Sequence, residues 1–301
     1  MLKTGIIGAG NVGANTAFFL AERNVGPVAV HDRQEGLATG KALDIMEMAP
    51  LGGYRYPIYG TDDEGDVLSS DIVLIAAGTP GTPEASGSDL YKENEPVIRE
   101  LAGKLAGHSG IVIIATEPVN ELVTLFTRES GLDANRVLGL SGCLTAARLG
   151  YLVSRELGCF AEDIDALVLG DRDATMVVPA DYCRVSGIPA HQLIGKEPFT
   201  RLADEAKGAD RTLLETNKRS TPFYAAASVA ADLIETVVAD SGRILSVSTV
   251  LDGEFDIRGA AVSVPAMVNA KGVSKILKPA LDADERASLS KGADQVKQTV
   301  A

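Results

Sequence analysis

Short apolar runs alternate along this chain with longer stretches in which apolar residues recur every three or four positions. Gly5-Ile6-Ile7, Pro27 to Val30, Asp71 to Ala77, Ile111 to Thr116 and Arg136 to Leu140 read as strands. Their lack of polar alternation predicts burial on both faces. Between them, Val12 to Arg23, Pro96 to Leu105 and Pro118 to Glu129 read as helices, and Gly78 to Ser88 as a Gly/Pro/Ser-rich loop. Alternation at this rhythm predicts a doubly wound parallel sheet. After Gly142 the rhythm changes. A helix from Leu144 to Leu157 leads to strands near Ala166–Leu169 and Met176–Val185, then to helices over Phe199–Glu215 and Phe223–Ala239. Strands over Arg243–Leu251 and Ala261–Val268 and a charged helix over Ala283–Gln298 complete a mixed α+β half. The absence of repeats and low-complexity linkers predicts two tightly joined domains, 1–142 and 143–301.

Composition narrows the classes. The 301 residues suffice for two cores. Hydrophobic residues make up 46% without one membrane-length run, which argues against a transmembrane anchor. A chain entering its first strand directly after Met1 leaves no room for a signal peptide, so the expectation is a cytoplasmic protein. A net charge of −13 argues against a nucleic-acid partner. Cys143, Cys159 and Cys183 lack metal-ligand pairing and read as reduced, mostly buried residues, with a reactive thiol as the alternative. No His/Cys/Asp cluster has metal-ligand spacing, so no metal is expected.

The chemistry concentrates in Gly8-Ala9-Gly10-Asn11-Val12-Gly13, which joins the first strand to the first helix. Gly8 permits the tight turn, Gly10 lets a pyrophosphate approach the backbone, and Gly13 lets helix and strand pack closely. A pyrophosphate would rest on the N–H groups and positive dipole of the helix start, Asn11 and Val12 included. The next strand ends in His31-Asp32, where a carboxylate accepts hydrogen bonds from an adenosine ribose and repels a 2′-phosphate. This favours NAD over NADP, although Arg33 beside it softens the preference.

With these residues in view, the chain resembles the lactate/malate dehydrogenase family, most closely its malate dehydrogenase branch. The supporting segments include GAGNVGANTA, GKALDI (Gly40 to Ile45), IAAGTP (Ile75 to Pro80), NRVLGLSG (Asn135 to Gly142) and LVLGDRDATMVVP (Leu167 to Pro179). SGIP (Ser186 to Pro189), FYAAASVA (Phe223 to Ala230), LDGEFDIRG (Leu251 to Gly259) and VSVPAMVNAKGVSKI (Val262 to Ile276) extend it over nearly the whole chain. The resemblance implies a Rossmann-type NAD-binding domain, with Ala77 and Gly78 among the cofactor contacts. It also implies a substrate domain, a small anionic 2-hydroxy or 2-oxo acid as substrate, and a homodimer or homotetramer.

The same resemblance marks where this chain departs. Positions that carry two substrate-facing arginines in the family's lid loop are Gly81 and Gly87 here, and the proton-transferring histidine is matched by Arg172. The aspartate that orients this histidine falls on Thr145, and the asparagine beside the nicotinamide on Glu117. The arginine that clamps the substrate α-carboxylate is retained as Arg148, and Thr221 stands where a small polar residue contacts substrate. The three histidines, His31, His108 and His191, read as surface or packing residues. Arginine offers donors only and cannot replace a base.

Arg148 and Arg172 can together hold a di-anionic group. Glu117 would then be the titratable group beside the nicotinamide, either buried and working as acid or base, or paired with Arg172 to fill the pocket. Asp171 and Asp173 are expected to flank Arg172 as ion-pair partners. Three readings remain open: an oxidoreductase of altered specificity, a non-catalytic NAD-binding protein used for sensing or partner binding, and a redeployed site with different chemistry.

Overall fold

The computed structural model describes residues 1–82, 86–171, 175–217 and 222–301. The first half runs β1 (Thr4–Ile7), α1 (Asn11–Glu22), β2 (Val28–His31), α2 (Leu37–Glu47), α3 (Ala49–Gly52), β3 (Ile58–Gly60) and α4 (Glu64–Leu68). It continues with β4 (Ile72–Ile75), α5 (Gly87–Lys104), β5 (Ile111–Ile114), α6 (Val119–Ser130) and β6 (Val137–Gly139). The second half contains α7 (Ser141–Leu157), β7 (Ile164–Ala166), β8 (Cys183–Val185), β9 (Ile188–Pro189), α8 (Ala190–Ile194), α9 (Lys196–Lys207) and α10 (Ala209–Asn217). It ends with α11 (Tyr224–Val238), β10 (Arg243–Asp252), β11 (Arg258–Asn269), β12 (Gly272–Ile276) and α12 (Ala283–Val300).

Six strands pair in parallel in the order β3-β2-β1-β4-β5-β6, the doubly wound arrangement expected from the alternation. The reversal of order between β1 and β4 opens a crevice at their carboxyl ends, where ligands of such sheets bind. The apolar runs divide between the two faces by strand alternation. Ile72, Leu74, Ile111 and Ile113 pack on one face with α1 and α11 residues, whereas Val73, Ile75, Val112 and Ile114 pack on the other with α5, α6 and α12 residues. Fully burying each such side chain contributes about 1.5–3 kcal/mol.

Antiparallel β10, β11 and β12 extend the same sheet beyond β6, giving nine strands from both halves of the chain. A separate three-stranded sheet, β7-β8-β9, has its own small core of Leu149, Leu152, Cys183, Phe199 and Leu202.

Three boundaries differ from the sequence reading. Helix α5 begins at Gly87, not Pro96, because Ser86 and Asp89 form a capping box: the Ser86 hydroxyl accepts the Asp89 N–H at 3.2 Å, and the Asp89 carboxylate accepts the Ser86 N–H at 3.3 Å. Pro96 therefore lies inside the helix. The strand expected over Met176–Val185 is reduced to a bridge between Leu169 and Val177 and to β8, with a 3₁₀ turn at Ala180–Tyr182 after Pro179. The helix expected over Phe199–Glu215 breaks at Gly208 into α9 and α10.

The seam between the halves is narrow. Gly139 of β6 pairs with Ser248 of β10, and a Cβ at residue 139 would lie 2.4 Å from Val119 Cγ1 and 2.9 Å from Ser248 Cβ. Gly139→Val is therefore expected to wedge β6 from β10 and lower stability by about 1–3 kcal/mol, read as a lower urea midpoint. An unchanged midpoint would show that the seam is loosely packed.

Candidate functional site

The turn between β1 and α1 has the form its glycines anticipate. Gly8 has φ +101°, and a Cβ there would lie 2.7 Å from the backbone of Ala76 and Ala77. A Cβ on Gly13 would come within 1.9 Å of the Gly8 carbonyl oxygen. Gly10 differs: it is exposed, and its Cβ would meet no protein atom within 4 Å. Protein packing thus explains glycine at 8 and 13 but not at 10, where the space opens toward the crevice. No side chain caps α1 and no acid sits in its first turn, so the amides around Asn11 and Val12 keep their donors and the helix keeps its positive end. A pyrophosphate fits this cradle.

Asp32, immediately after β2, is held from two sides. Its Oδ2 accepts the Ala9 N–H at 2.7 Å and its Oδ1 accepts the Gln34 N–H at 2.9 Å. A carboxylate has about four acceptor positions, so two remain for ribose hydroxyls. His31 beside it bonds through Nδ1 to the Thr61 carbonyl at 2.9 Å.

The far end of the crevice rests on a residue the sequence reading missed. Asn94 of α5 is fully buried. Its Oδ1 accepts the Thr79 N–H at 2.6 Å, and its Nδ2 donates to the carbonyls of Thr79 at 3.1 Å and Glu117 at 2.7 Å. Thr116 adds a bond from Oγ1 to the Ala77 carbonyl at 2.7 Å. The base of the lid loop, with Ala77 and Gly78, is thereby tied to the backbone of Glu117. A polar side chain on the buried stripe of α5 was the signal in the sequence.

Beyond this floor lies a cavity of about 470 Å³, walled by the lid residues Gly81 and Gly87, by Glu117, by Thr145 and Arg148 of α7, and by the α9–α10 corner. Glu117 is exposed rather than buried, and its Oε2 accepts the Val119 N–H at 3.3 Å. It is thus not the buried carboxylate that the sequence reading allowed. The Arg148 side chain is only 12% exposed. It forms a forked ion pair with Asp210 of α10, with Nη1 donating at 2.8 Å and Nη2 engaging the other oxygen. This pairing has no local signature in the sequence, since it depends on the break at Gly208.

None of the three histidines lines the cavity. His108 is held below its ordinary pKa by burial and by nearby Arg136, and His191 bonds to the Ala180 carbonyl. Arg172 and Thr221 lie outside the described residues, as does the expected pairing of Arg172 with Asp171, Asp173 or Glu117. The segment entering residue 172 is well anchored: Asn120 donates to Asp171 at 2.8 Å and to the Gly170 carbonyl at 3.3 Å, and it accepts from Ser248.

All three cysteines are free thiols. Burial pushes Cys143 and Cys183 up to about 12, which leaves them protonated and inert near neutrality. By exposure Cys183 is buried, whereas Cys143 and Cys159 are half-buried, with Cys159 lying after the end of α7. Among the described residues, no cluster of His, Cys, Asp or Glu could hold a metal ion, and no helix is long and apolar enough to cross a membrane.

These features define a dinucleotide-binding α/β protein with a phosphate cradle at the β1–α1 turn and an arginine-bearing cavity. Comparison with known proteins gives the lineage. The "lactate/malate dehydrogenase, NAD binding domain" family matches residues 2–139, and the "lactate/malate dehydrogenase, alpha/beta C-terminal domain" family matches residues 143–301. The chain is 35% identical to a malate dehydrogenase of Heliobacterium modesticaldum, covering 99% of this chain and 97% of that one. It is 36% identical to a malate dehydrogenase of Thermomicrobium roseum over 99% and 97% of the two chains. Among solved structures, the malate dehydrogenase of Salinibacter ruber superposes with a TM-score of 0.93 at 31% identity, over 99% of this chain and 96% of that one. The lactate dehydrogenase of Cryptosporidium parvum, complexed with lactic acid and β-nicotinamide adenine dinucleotide, gives 0.94 at 27%, also over 99% and 96%. The chain belongs to the lactate/malate dehydrogenase family, and NAD is its cofactor.

Asp32→Ala is expected to weaken NAD binding by about 1–2 kcal/mol, through a lost charge-assisted hydrogen bond, and to narrow the preference over NADP. Calorimetric titration of both dinucleotides checks this. Tighter binding of NADPH than NADH to the unaltered protein would contradict it.

Proposed function

We propose that this protein is an NAD-dependent oxidoreductase that acts on a small 2-hydroxy or 2-oxo acid through an altered active site. The observation that carries this reading is one cavity, at the carboxyl ends of the parallel strands, that holds a forked arginine and no histidine. Bound NAD supplies hydride acceptance and delivery, and Gly8, Gly10, Asn11, Val12, Gly13, Asp32, Ala77, Gly78 and Glu117 form its surroundings. Arg148 clamps the acid's carboxylate by two parallel N–H···O bonds, a geometry that fixes C2 toward the cofactor.

Oxidation of the alcohol requires its hydroxyl proton to leave as the hydride departs. Glu117, a titratable group on the cavity wall, is assigned that proton. Arg172 is assigned to stabilise negative charge on the reacting oxygen, and Thr221 to contact the substrate. The same proposal takes residues 1–142 and 143–301 as the cofactor and substrate domains of a cytoplasmic homo-oligomer. Exposed Leu43, Leu51 and Tyr224 support self-association.

The second reading is an NAD-binding pseudoenzyme. Closure of Arg148 by Asp210 and the lack of an imidazole in the cleft favour it. Mixing the protein with NADH and a panel of 2-oxo acids separates the two. The oxidoreductase reading expects NADH oxidation with at least one acid. It expects oxaloacetate turnover far below the ordinary enzyme range of about 10–10³ per second, since a positioned acid–base group contributes about 10²–10⁴-fold. No oxidation with any acid would establish the pseudoenzyme, and full-speed oxaloacetate reduction would overturn the assignment of an altered site.

A further inference from the structure

The family's lid loop is expected to carry positive charge, but residues 79–87 of this chain contain no lysine or arginine. Cations enter the cavity wall from another element instead. At the break between α9 and α10, Lys207, Asp210 and Arg211 all line the same 470 Å³ space as Arg148. Lys207 is 22% exposed and, among the described residues, has one long ion pair, to Asp204 at 3.4 Å within its own helix. Arg211 makes no ion pair among the described residues. It is exposed at the cavity wall, one residue after the carboxylate that engages Arg148.

The Arg148–Asp210 pair is also incomplete. Both Nη atoms are engaged, but the buried Nε–H has no hydrogen-bond partner among the described residues. A buried orphan donor is unfavourable, so the pairing with Asp210 leaves the guanidinium under-satisfied. Asp210 also presents to Arg148 the same two-oxygen fork that a ligand carboxylate would present. The two must compete, and Asp210, 54% exposed, has water available when displaced.

We infer that the α9–α10 corner, not the lid, selects the ligand's second anionic group: Arg211 and Lys207 are its specificity-determining cations, and Asp210 is an internal carboxylate that must leave Arg148 for the first. This rests on the proposed acid-binding role of the cleft. The ligand class is a 2-hydroxy or 2-oxo acid bearing a second carboxylate or phosphate on the side away from Arg148.

The test uses the full chain saturated with NADH, in which a hydroxy acid cannot be oxidised. Lactate, malate and 3-phosphoglycerate are titrated calorimetrically; they share a 2-hydroxy acid and differ in the second group. Malate or 3-phosphoglycerate is expected to bind at least about tenfold tighter than lactate, and whichever leads identifies the second group as carboxylate or phosphate. Arg211→Gln should bring both down to the lactate value, and Arg211→Lys should restore most of the difference. Asp210→Asn should tighten all three by about fivefold or more by removing the competitor. Equal affinity for the three acids in the unaltered protein, or an undiminished preference in Arg211→Gln, overturns the inference while leaving the acid-site reading intact. Binding of none of them, in the unaltered protein or in Asp210→Asn, overturns the acid-site reading and the inference with it.

Discussion

The approach of α1 to the end of β1 is the constraint from which the rest of this molecule follows. With residue 13 limited to glycine by a carbonyl 1.9 Å from where its Cβ would stand, the helix start sits directly on the strand end. Its unpaired amides then face the crevice between β1 and β4. Asp32 locks this geometry by accepting the Ala9 N–H, so a carboxylate from the end of β2 closes the turn. Close backbone packing, held by this one carboxylate, thus builds the phosphate cradle.

The substrate end obeys a different logic. Asn94 uses its amide to bind lid base and Glu117 backbone together, so one buried side chain fixes the floor of the cavity. Above that floor the cavity holds charges of both signs and no imidazole. A histidine beside a carboxylate titrates near neutrality, whereas an arginine does not, so the described lining offers cationic donors and no imidazole. Arg148 already demonstrates the holding, with Asp210 as the anion.

Much of the fold was legible because its signals are local. Strands buried on both faces leave uninterrupted apolar runs, and the glycine spacing at 8, 10 and 13 has one economical structural meaning. Elements with weak periodicity were not legible: α2 carries Thr39 and Gly40 in its first turns, and β3 and β12 are short. The start of α5 was available in Ser86 and Asp89 but was obscured by Pro96, which reads as a helix start. At the site, the positions of Arg148 and Glu117 were open to inference. The Arg148–Asp210 fork and the Asn94 pin were not, since each joins residues brought together only by tertiary packing, 62 positions apart for the fork and up to 23 for the pin.

In the proposed complex one cleft holds dinucleotide and acid together, the first on the β1–α1 turn and the second on Arg148. A crystal structure of the protein grown with NADH and malate is the decisive measurement. It should show a pyrophosphate against the amides of residues 10–12, a ribose on Asp32, and a malate carboxylate forked on Arg148 with Asp210 turned away. Dinucleotide seated elsewhere, or Asp210 still closed on Arg148 while malate occupies another surface, would contradict it.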